Sequence, residues 1–360
     1  MRVDPAGVAA GHILSERRVE IARCVTGLYF EQRPELETSW KGARKRCTED
    51  NGFHLDFLSE ALAFGQPALF TEYAIWSAAL LARLRIPGEA LILNLQLLRV
   101  ALSAELEGAG RELAFDYIDS ALAKLEEAQH LHADAPADST APGFLEGNAK
   151  LDALAREYLA ALLAGKRHAA GELILAAADA GTSIKDIYLF VFQRVQYEIG
   201  RLWQSNQIGV AQEHYCTACT QTIMSQLYPR IFSTEKNGRR MVATCVSGDL
   251  HEIGPRMVAD FFEMEGWDTF FLGANTPLEA TLQQISERTP HVLAISATMP
   301  FHVHGVAELI QATRAAGPPP HILVGGAPFN AIPDLWKDVG ADAFARDAAD
   351  ALVISRGWTD

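Results

Sequence analysis

The last third of the chain alternates between short apolar runs with strand character and longer segments with helical spacing, with glycine or proline between them. This alternation predicts a parallel, doubly wound (Rossmann-like) sheet. In such a sheet, ligands bind beyond the carboxyl ends of the strands. The predicted strands are residues 240–246, 268–272, 292–297, 322–324 and 343–345.

The loop after the first predicted strand, residues 247–254, reads Ser-Gly-Asp-Leu-His-Glu-Ile-Gly. In this Asp249-x-His251-x-x-Gly254 pattern, a histidine follows an aspartate by two residues on a strand-to-helix loop. One ring nitrogen is then placed to bind a metal while the carboxylate holds the other nitrogen. An ordinary polar loop is the alternative interpretation of the pattern taken alone.

Two further short segments follow strands of the same predicted sheet. Ser296 and Thr298 stand at the end of the third strand, and Gly325-Gly326 closes the fourth. Taken singly, they are an ordinary strand-end serine and an ordinary turn. Because parallel strands bring their carboxyl ends to one edge, we expect these segments and His251 to line one site.

The rest of the chain is predicted to be almost all helix. Residues 1 to about 20 show no clear pattern, and apolar residues then recur at helical spacing as far as residue 131. A small, polar, proline-containing segment after it has the composition of a linker. Beyond it, breaks at residues 164–166, 180–183 and 205–209 separate four helices of a small bundle.

The expected architecture therefore combines an all-α part with an α/β part. Its boundaries are a helical N-terminal domain over residues 1–132, a linker over 133–150, a four-helix bundle over 151–236 and the Rossmann-like domain over 237–360.

Composition excludes several classes of function. A formal net charge of −14 argues against nucleic acid as a partner, and no apolar stretch is long enough to cross a membrane. The N-terminus lacks the apolar core of a secretory signal, and five cysteines at irregular spacing favour reduced thiols in the cytoplasm. His302 and His304 have no third metal ligand nearby, so we expect them at the exposed start of a helix.

Residues 151–360 resemble the cobalamin-binding module of methionine synthase, corrinoid carrier proteins and the CarH-type light sensors, in which a helical bundle precedes a Rossmann-like domain. The resemblance implies that His251 becomes the lower axial ligand of cobalt, with Asp249 orienting it, and that Gly254 lets the chain turn closely under the flat ring. It also implies a slot for the displaced nucleotide tail of the vitamin. The residues expected to line that slot are Ser296, Thr298, Gly325 and Gly326.

A second pattern, in the bundle, is similar to the cap of the CarH-type sensors. Trp203 is followed after nine residues by Glu213-His214. The resemblance implies that Trp203 packs against an adenosyl upper ligand while Glu213 and His214 form hydrogen bonds near it, which favours adenosylcobalamin. A core tryptophan beside two solvated polar residues is the alternative. Gln204 stands where those sensors carry a histidine, so the upper ligand after photolysis stays open.

The N-terminal third is similar in architecture to the photocobilins, which use biliverdin beside cobalamin. A bilin needs an apolar slot, aromatic walls and cations for its propionates. A helical core with arginines at helix ends explains the same residues equally well. The candidate bilin-binding residues are His54, Tyr73, Trp76, Arg83 and Arg85.

These patterns lead to the expectation of a cytoplasmic, light-responsive adenosylcobalamin photoreceptor that is not an enzyme, with biliverdin as a candidate second chromophore. Photolysis of the Co–C bond would change its homo-oligomeric state (dimer or higher) or its contact with a downstream signalling protein. One alternative is a corrinoid methyl carrier or a subunit of a cobalamin-dependent methyltransferase. A second alternative is a signalling scaffold that retains the fold without binding cobalamin tightly.

Overall fold

The computed structural model describes residues 4–37, 42–83, 86–133, 143–145, 150–205, 207–232 and 234–358. The chain divides into two compact units, residues 1–139 and residues 140–360. Most of the predicted linker, residues 134–142 and 146–149, lies outside the described residues. Within the described part of the chain, no helix combines the length and apolar character that crossing a membrane requires.

Unit 1 is a bundle of α-helices. Three helices pack against α4, in which Leu55, Leu58 and Leu62 are buried. The helices of its described residues are α1 (Pro5–Glu16), α2 (Arg18–Gln32), α3 (Pro34–Glu37), α4 (Ala43–Phe64), α5 (Pro67–Arg83), α6 (Gly88–Glu105) and α7 (Gly108–Ala133).

Helix α1 is an element that the sequence pattern did not reveal. The Asp4 side chain accepts a hydrogen bond from the backbone N–H of Ala6, which caps the helix, and a proline occupies its first turn. A Cβ at Gly7 would lie 2.5 Å from the carbonyl oxygen of Leu62, and one at Gly11 would lie 2.8 Å from that of Ser59. The helix thus docks through small residues, which carry no apolar periodicity that a sequence pattern could reveal.

Unit 2 begins with a four-helix bundle. Its third helix is continuous from residue 184 to residue 204 and contains a π-helical segment, in which Tyr188 and Phe192 are fully buried. The bundle consists of α8 (Asp152–Leu163), α9 (Arg167–Asp179), the third helix with α10 (Ile184–Asp186), the π-helical segment (Ile187–Gln193) and α11 (Arg194–Gln204), and finally α12 (Val210–Ile231).

The remainder of unit 2 is a five-stranded parallel sheet in the order β2-β1-β3-β4-β5, which confirms the predicted fold class. The strands are β1 (Arg240–Cys245), β2 (Asp268–Phe271), β3 (Val292–Ser296), β4 (His321–Gly325) and β5 (Ala343–Ala345). The helices are α13 (Ile253–Glu263), α14 (Leu278–Arg288), α15 (Val303–Ala315), α16 (Ala327–Ala331), α17 (Leu335–Asp338) and α18 (Ala348–Arg356), with a 3-10 turn at Pro300–His302.

This strand order places the switch point of the sheet between β1 and β3, where crossovers leave in opposite directions. In the register, Cys245 pairs with Ser296, and Ser296 pairs with Gly325. The loops that follow β1, β3 and β4 therefore start side by side at one edge of the sheet.

The bundle is fastened to the sheet domain through α13. The Arg256 guanidinium donates to the Tyr228 hydroxyl at 3.1 Å and to the Ser225 hydroxyl at 2.8 Å, both on α12. Deeper in the interface, the Tyr188 hydroxyl donates to a carboxylate oxygen of Asp260 at 2.8 Å. The Arg256 bonds hold α12, and the Tyr188 bond holds the third bundle helix, against α13, which follows the His251 loop directly.

Candidate functional site

The loop after β1 holds the His251 ring by one nitrogen. Nδ1 of His251 lies 2.8 Å from Oδ1 of Asp249, and the same oxygen accepts the backbone N–H of His251 at 3.0 Å. Asp249 is fully buried, whereas the His251 side chain is 57% exposed. Among the described residues, Nε2 of His251 has no hydrogen-bond partner. The imidazole is therefore oriented by Nδ1 and presents Nε2 for coordination.

The mutual contact of Asp249 and His251 stabilises the charged form of both residues, which shifts the two pKa values in opposite directions. Burial acts to raise the pKa of Asp249, but the contacts with His251 and His302 outweigh it and hold that pKa well below its ordinary value. The hydrogen bond from Asp249 raises the pKa of His251, against the opposing effect of burial. Glu213 on the bundle adds a smaller raising effect, so its carboxylate lies within electrostatic reach of His251. A more basic imidazole is a stronger donor to a metal.

The second oxygen of Asp249 faces the loop after β3. Oδ2 accepts the backbone N–H of Thr298 at 2.8 Å, and Nδ1 of His302 lies 3.3 Å from it. The expectation of an exposed His302 is wrong, because its side chain is only 6% exposed. His304 is exposed and lies beside Glu308 at 3.1 Å. Sequence spacing could not reveal this contact, because His302 follows Asp249 by 53 positions. The two side chains meet only at the edge of the sheet.

The loop after β2 is hydrogen-bonded to the His251 loop, on the side of β1 opposite to β3. The Asn275 side chain accepts the backbone N–H of Gly248 at 2.7 Å, and its own backbone N–H donates to the Asp249 carbonyl at 2.8 Å. Asn275 has a φ of 50°, a left-handed conformation that asparagine tolerates better than most residues. Asn275 was not predicted from the sequence. Its position in a turn directly after a strand, before Thr276-Pro277, is the signal that could have revealed it.

Ser296 and Thr298 lie where the sequence analysis expected them, at the carboxyl end of β3. Both are half-buried, and among the described residues neither hydroxyl has a hydrogen-bond partner. The backbone of Thr298 contributes directly by binding Asp249. Two free hydroxyls beside the switch point can therefore bind polar groups of a ligand.

The paired glycines at the end of β4 are required by the backbone conformation, apart from any role in lining a ligand slot. Gly326 has a φ of 107°, and a Cβ there would lie 1.9 Å from the Ala297 carbonyl oxygen. A Cβ at Gly325 would lie 3.1 Å from the Ala345 carbonyl oxygen. The close approach of this turn to the end of β3 is thus the first reason for glycine.

The expected role of Gly254, a close turn under the ring, stays a prediction. Gly254 lies in the first turn of α13, and a Cβ there would meet nothing within 4 Å. Nearby, the apolar side chain of Leu250 is 71% exposed. The space beside His251 is therefore open and partly apolar, as a flat macrocycle requires.

The bundle residues of the second sequence pattern lie on α11 and α12. Trp203 is partly buried and packs against the bundle core. Glu213 accepts the Thr217 hydroxyl at 3.0 Å and pairs with the exposed His214. No described hydrogen bond joins Trp203 to either of them, so of the three, Glu213 has the clearest connection to His251.

Glu252, the residue after His251, bridges the bundle and the sheet. One carboxylate oxygen accepts the side-chain amide of Gln221 on α12 at 2.6 Å. The other accepts the backbone N–H of Ala274, after β2, at 3.1 Å. The bundle is therefore bonded to the loop that carries the candidate ligand.

The candidate bilin residues lie in unit 1. The His54 ring is buried, with Nδ1 2.7 Å from the Tyr73 hydroxyl, and burial lowers its pKa to about 4. Tyr73 stacks on Phe57 with ring centroids 3.7 Å apart, and Trp76 packs beside Tyr73. The Arg83 side chain and all of Arg85 lie outside the described residues.

The donor set at His251 suits a metal that brings its other ligands with it. Within the described residues, no group of three or more His, Cys, Asp or Glu side chains is placed to hold a metal ion. One oriented imidazole beside open, partly apolar space fits a metal whose in-plane positions belong to a macrocycle. The residues at the switch point thus fit a corrinoid.

Comparison with known proteins supports the same ligand class. Two family profiles, each described as a B12 binding domain, match residues 239–354 and residues 154–228. Trimethylamine corrinoid protein 2 of Methanosarcina acetivorans is 27% identical over 191 residues, which is 52% of this chain and 85% of that protein. Dimethylamine corrinoid protein 1 of Methanosarcina mazei is 29% identical over 165 residues, 45% of this chain and 73% of that protein.

A solved structure agrees in fold. The monomethylamine corrinoid protein of Methanosarcina barkeri superposes with a TM-score of 0.50 at 23% identity, covering 57% of this chain and 98% of that one.

These relatives overturn one expectation. The expectation of a light-responsive photoreceptor is wrong, since the proteins that the chain matches are corrinoid proteins named for methylamines. The functional expectation built on Trp203, Glu213 and His214 is therefore wrong. The resemblance holds for the cobalamin-binding module as a class rather than for the CarH-type sensors in particular. Residues 154–354 form a cobalamin-binding module made of a helical bundle and a parallel Rossmann-like sheet.

Proposed function

We propose that the chain is a corrinoid methyl carrier, or the corrinoid subunit of a cobalamin-dependent methyltransferase. The observation that carries the proposal is the oriented His251–Asp249 pair at the switch point of a module similar to methylamine corrinoid proteins. The chain itself would hold the corrinoid, and partner proteins would catalyse methyl transfer to and from it.

In this proposal, Nε2 of His251 is the lower axial ligand of cobalt. Asp249 fixes the ring orientation and increases the basicity of the imidazole, as the hydrogen bond at 2.8 Å supports. The remaining proposed contacts line the slot for the nucleotide tail. They are the hydroxyls of Ser296 and Thr298 and the backbone turn at Gly325 and Gly326.

When bound, the corrinoid supplies a cobalt centre that can accept a methyl group and give it up again. Methyl rather than adenosyl is therefore the proposed upper ligand. The helical bundle would lie over this face, and Glu213 is the bundle residue whose carboxylate reaches His251 electrostatically. Glu213 and His214, which contact each other at the start of α12, would limit which partner groups approach the upper face.

We assign His54, Tyr73 and Trp76 to the packed core of unit 1 rather than to a biliverdin site. The support is that the polar atoms of His54 and Tyr73 satisfy each other at 2.7 Å, and that the Tyr73 face is covered by Phe57. A bilin would have to displace both contacts.

The proposal is tested with the full-length protein reconstituted with hydroxocobalamin and reduced to the Co(II) state. Electron paramagnetic resonance should show coupling to one imidazole nitrogen, and His251→Ala should remove it. The corrinoid affinity of His251→Ala should fall by at least about 10–100-fold, the effect that removing only an outer partner of a metal ligand usually has. His304→Ala, an exposed histidine outside the loop, is the matched control.

The carrier role is tested separately. Protein-bound corrinoid, reduced further to Co(I), should react with methyl iodide and yield bound methylcobalamin, seen by absorbance. Failure to alkylate under conditions that alkylate free corrinoid would contradict an accessible upper face and with it the carrier role.

A further inference from the structure

Residues 143–145, Gly-Phe-Leu, belong to the predicted linker and lie against the helical bundle. Both polar groups of the Phe144 backbone are bound there. Its N–H donates to Oε2 of Glu198 at 2.9 Å, and its carbonyl oxygen accepts from Nη2 and Nε of Arg194 at 2.9 and 3.1 Å. Two charged side chains of α11 therefore bind the main chain of one linker residue.

This binding face of α11 consists of paired charges. Arg194, Glu198 and Arg201 lie on one side of the helix, because residues three and four positions apart are neighbours there. The Arg201 guanidinium donates to both carboxylate oxygens of Glu198, at 2.5 and 2.9 Å, and Arg194 also pairs with Asp152 on α8. Glu198 and Asp152 are both buried, and a buried charge is costly unless its partners compensate for the lost water.

The ionised form of Glu198 is favoured although the side chain is buried. Burial acts to raise the pKa of Glu198, but the bonds from Arg201 and from the Phe144 N–H outweigh it and keep that pKa below its ordinary value. The linker backbone is thus one of the groups that compensate this buried charge.

The side chains of the linker residues fit the same face. A Cβ at Gly143 would lie 3.1 Å from Oε2 of Glu198, so a larger residue would press on the carboxylate. Leu145 is buried in the bundle core, and the exposed Phe144 ring contacts Tyr197 with centroids 5.3 Å apart. Main-chain hydrogen bonds combined with a pocket for one side chain are typical of bound peptides. Residues 143–145 therefore occupy α11 as a bound peptide would.

The helix that binds this segment leads directly to the part of the bundle with electrostatic reach to His251. The backbone N–H of Gln207 donates to the Leu202 carbonyl at 2.9 Å, which ties the connection after α11 to the last turn of that helix. Helix α12 begins at Val210 and carries Glu213 in its first turn. A loosened end of α11 would therefore also free the start of α12.

We propose that the bound segment Gly143–Leu145 controls access to the upper face of the corrinoid. While the segment is bound, the end of α11 and the start of α12 are held in place. When it is released, both loosen, and a reactive group of a partner can approach the cobalt. The inference rests on the proposed carrier function and gives the linker a regulatory role in it.

The first test compares Phe144→Pro with Phe144→Ala in the full-length apoprotein. Proline removes the N–H that Glu198 accepts, whereas alanine removes the exposed ring and keeps both backbone bonds. In Phe144→Pro, backbone amides at the end of α11 and the start of α12 should exchange hydrogen about tenfold faster, the effect of losing a bond to a charged acceptor. Phe144→Ala should exchange at the wild-type rate. Equal rates in the two variants would overturn the proposal.

A second variant acts on the same contact from the other side. Gly143→Val keeps the Phe144 N–H but presses on the Glu198 carboxylate, so it should also accelerate exchange at the end of α11. Glu157→Gln, at an exposed glutamate of α8, is its control and should match the wild-type protein. A wild-type exchange rate in both Phe144→Pro and Gly143→Val would show that the segment does not hold α11.

The second test measures access to the bound corrinoid. Each full-length protein is reconstituted with hydroxocobalamin, reduced to Co(I) and treated with methyl iodide or with the bulkier butyl iodide. Phe144→Pro should react with butyl iodide about tenfold faster than Phe144→Ala, in proportion to its greater loosening. Faster hydrogen exchange without faster alkylation would overturn the control of access. A wild-type protein that fails to react even with methyl iodide would instead refute the carrier function.

Discussion

Asp249 shows how much chemistry one buried carboxylate can organise. It has no exposed surface, yet it accepts hydrogen bonds from two backbone N–H groups and faces two imidazoles. Its charge is stabilised by these contacts rather than by water, which explains why its pKa stays low in spite of burial. The residue thus converts a flexible loop into a fixed support for His251.

Part of this site could be predicted from the sequence. The Asp249-x-His251 spacing identifies the pair because both residues lie on one short loop, where local geometry decides their contact. His302 and Asn275 contact the same loop from distant parts of the chain, and only the strand order brings them there. The Thr298 contact uses the backbone and leaves no mark on residue type.

The backbone conformation at Gly326 makes a substitution there costly to stability. Gly326→Ala should lower the free energy of unfolding by about 3 kcal/mol, because the backbone there has φ 107° and ψ 177°, a region open in practice to glycine alone. The added Cβ would also collide with the Ala297 carbonyl. Urea unfolding of the apoprotein measures the change.

Gly325→Ala is the matched control for Gly326→Ala. Its Cβ would lie 3.1 Å from the Ala345 carbonyl, a tight contact that a small shift can relieve. A loss of about 1 kcal/mol is expected. Equal losses in the two variants would contradict the conformational argument.

The secondary-structure elements were predictable where they are buried and regular. All five strands fall within about two residues of their predicted ends. The central strands β1, β3 and β4 are mostly buried and appear as apolar runs, whereas the edge strands β2 and β5 are only partly buried. The π-helical segment Ile187–Gln193 was not predictable, since one extra residue per turn leaves no distinct apolar spacing. That segment carries Tyr188, whose hydroxyl reaches Asp260 on α13.

The Tyr188–Asp260 contact between the bundle and α13 should make stability depend on pH. Burial raises the pKa of Asp260 to about 6 from its ordinary 3.8, against the opposing effects of Tyr188 and Arg256. The folded state therefore holds this proton more tightly than the unfolded chain. The contribution of Asp260 to stability is greatest below pH 3.8 and is lost as the pH rises through about 6, by about 3 kcal/mol in total.

The measurement is the free energy of unfolding at pH 4 and pH 7 for the wild-type protein and Asp260→Asn. The variant should lose most of the Asp260 contribution to the pH dependence, while its side-chain oxygen can still accept from Tyr188. Asp179→Asn, at an exposed aspartate in the same unit, is the control. An unchanged pH dependence in Asp260→Asn would show that Asp260 does not titrate in this window.

The two units differ in their similarity to known protein families. Both matched family profiles lie within residues 140–360. Unit 1 contributes a helical core of its own, with fully buried residues such as Leu14, Leu58 and Phe70. Each unit therefore has the packing that an independently unfolding domain requires.

We expect two thermal transitions in the full-length protein, and cobalamin should raise only the transition of residues 140–360. At 100 times its dissociation constant, a ligand that binds only the folded state adds about 2.7 kcal/mol, which corresponds to about 8 °C for a domain of this size. Calorimetry measures the shift, and hydrogen exchange assigns each transition to a unit. A single transition in which both units shift together would contradict independent unfolding.

The bridge made by Glu252 has a mechanical consequence. The Glu252 carboxylate accepts hydrogen bonds both from Gln221 of the bundle and from the backbone beyond β2. Glu252 is also the direct neighbour of His251. A movement of α12 would therefore displace the backbone directly beside His251. In the proposed carrier, uncovering the corrinoid for a partner would in this way disturb the support of His251.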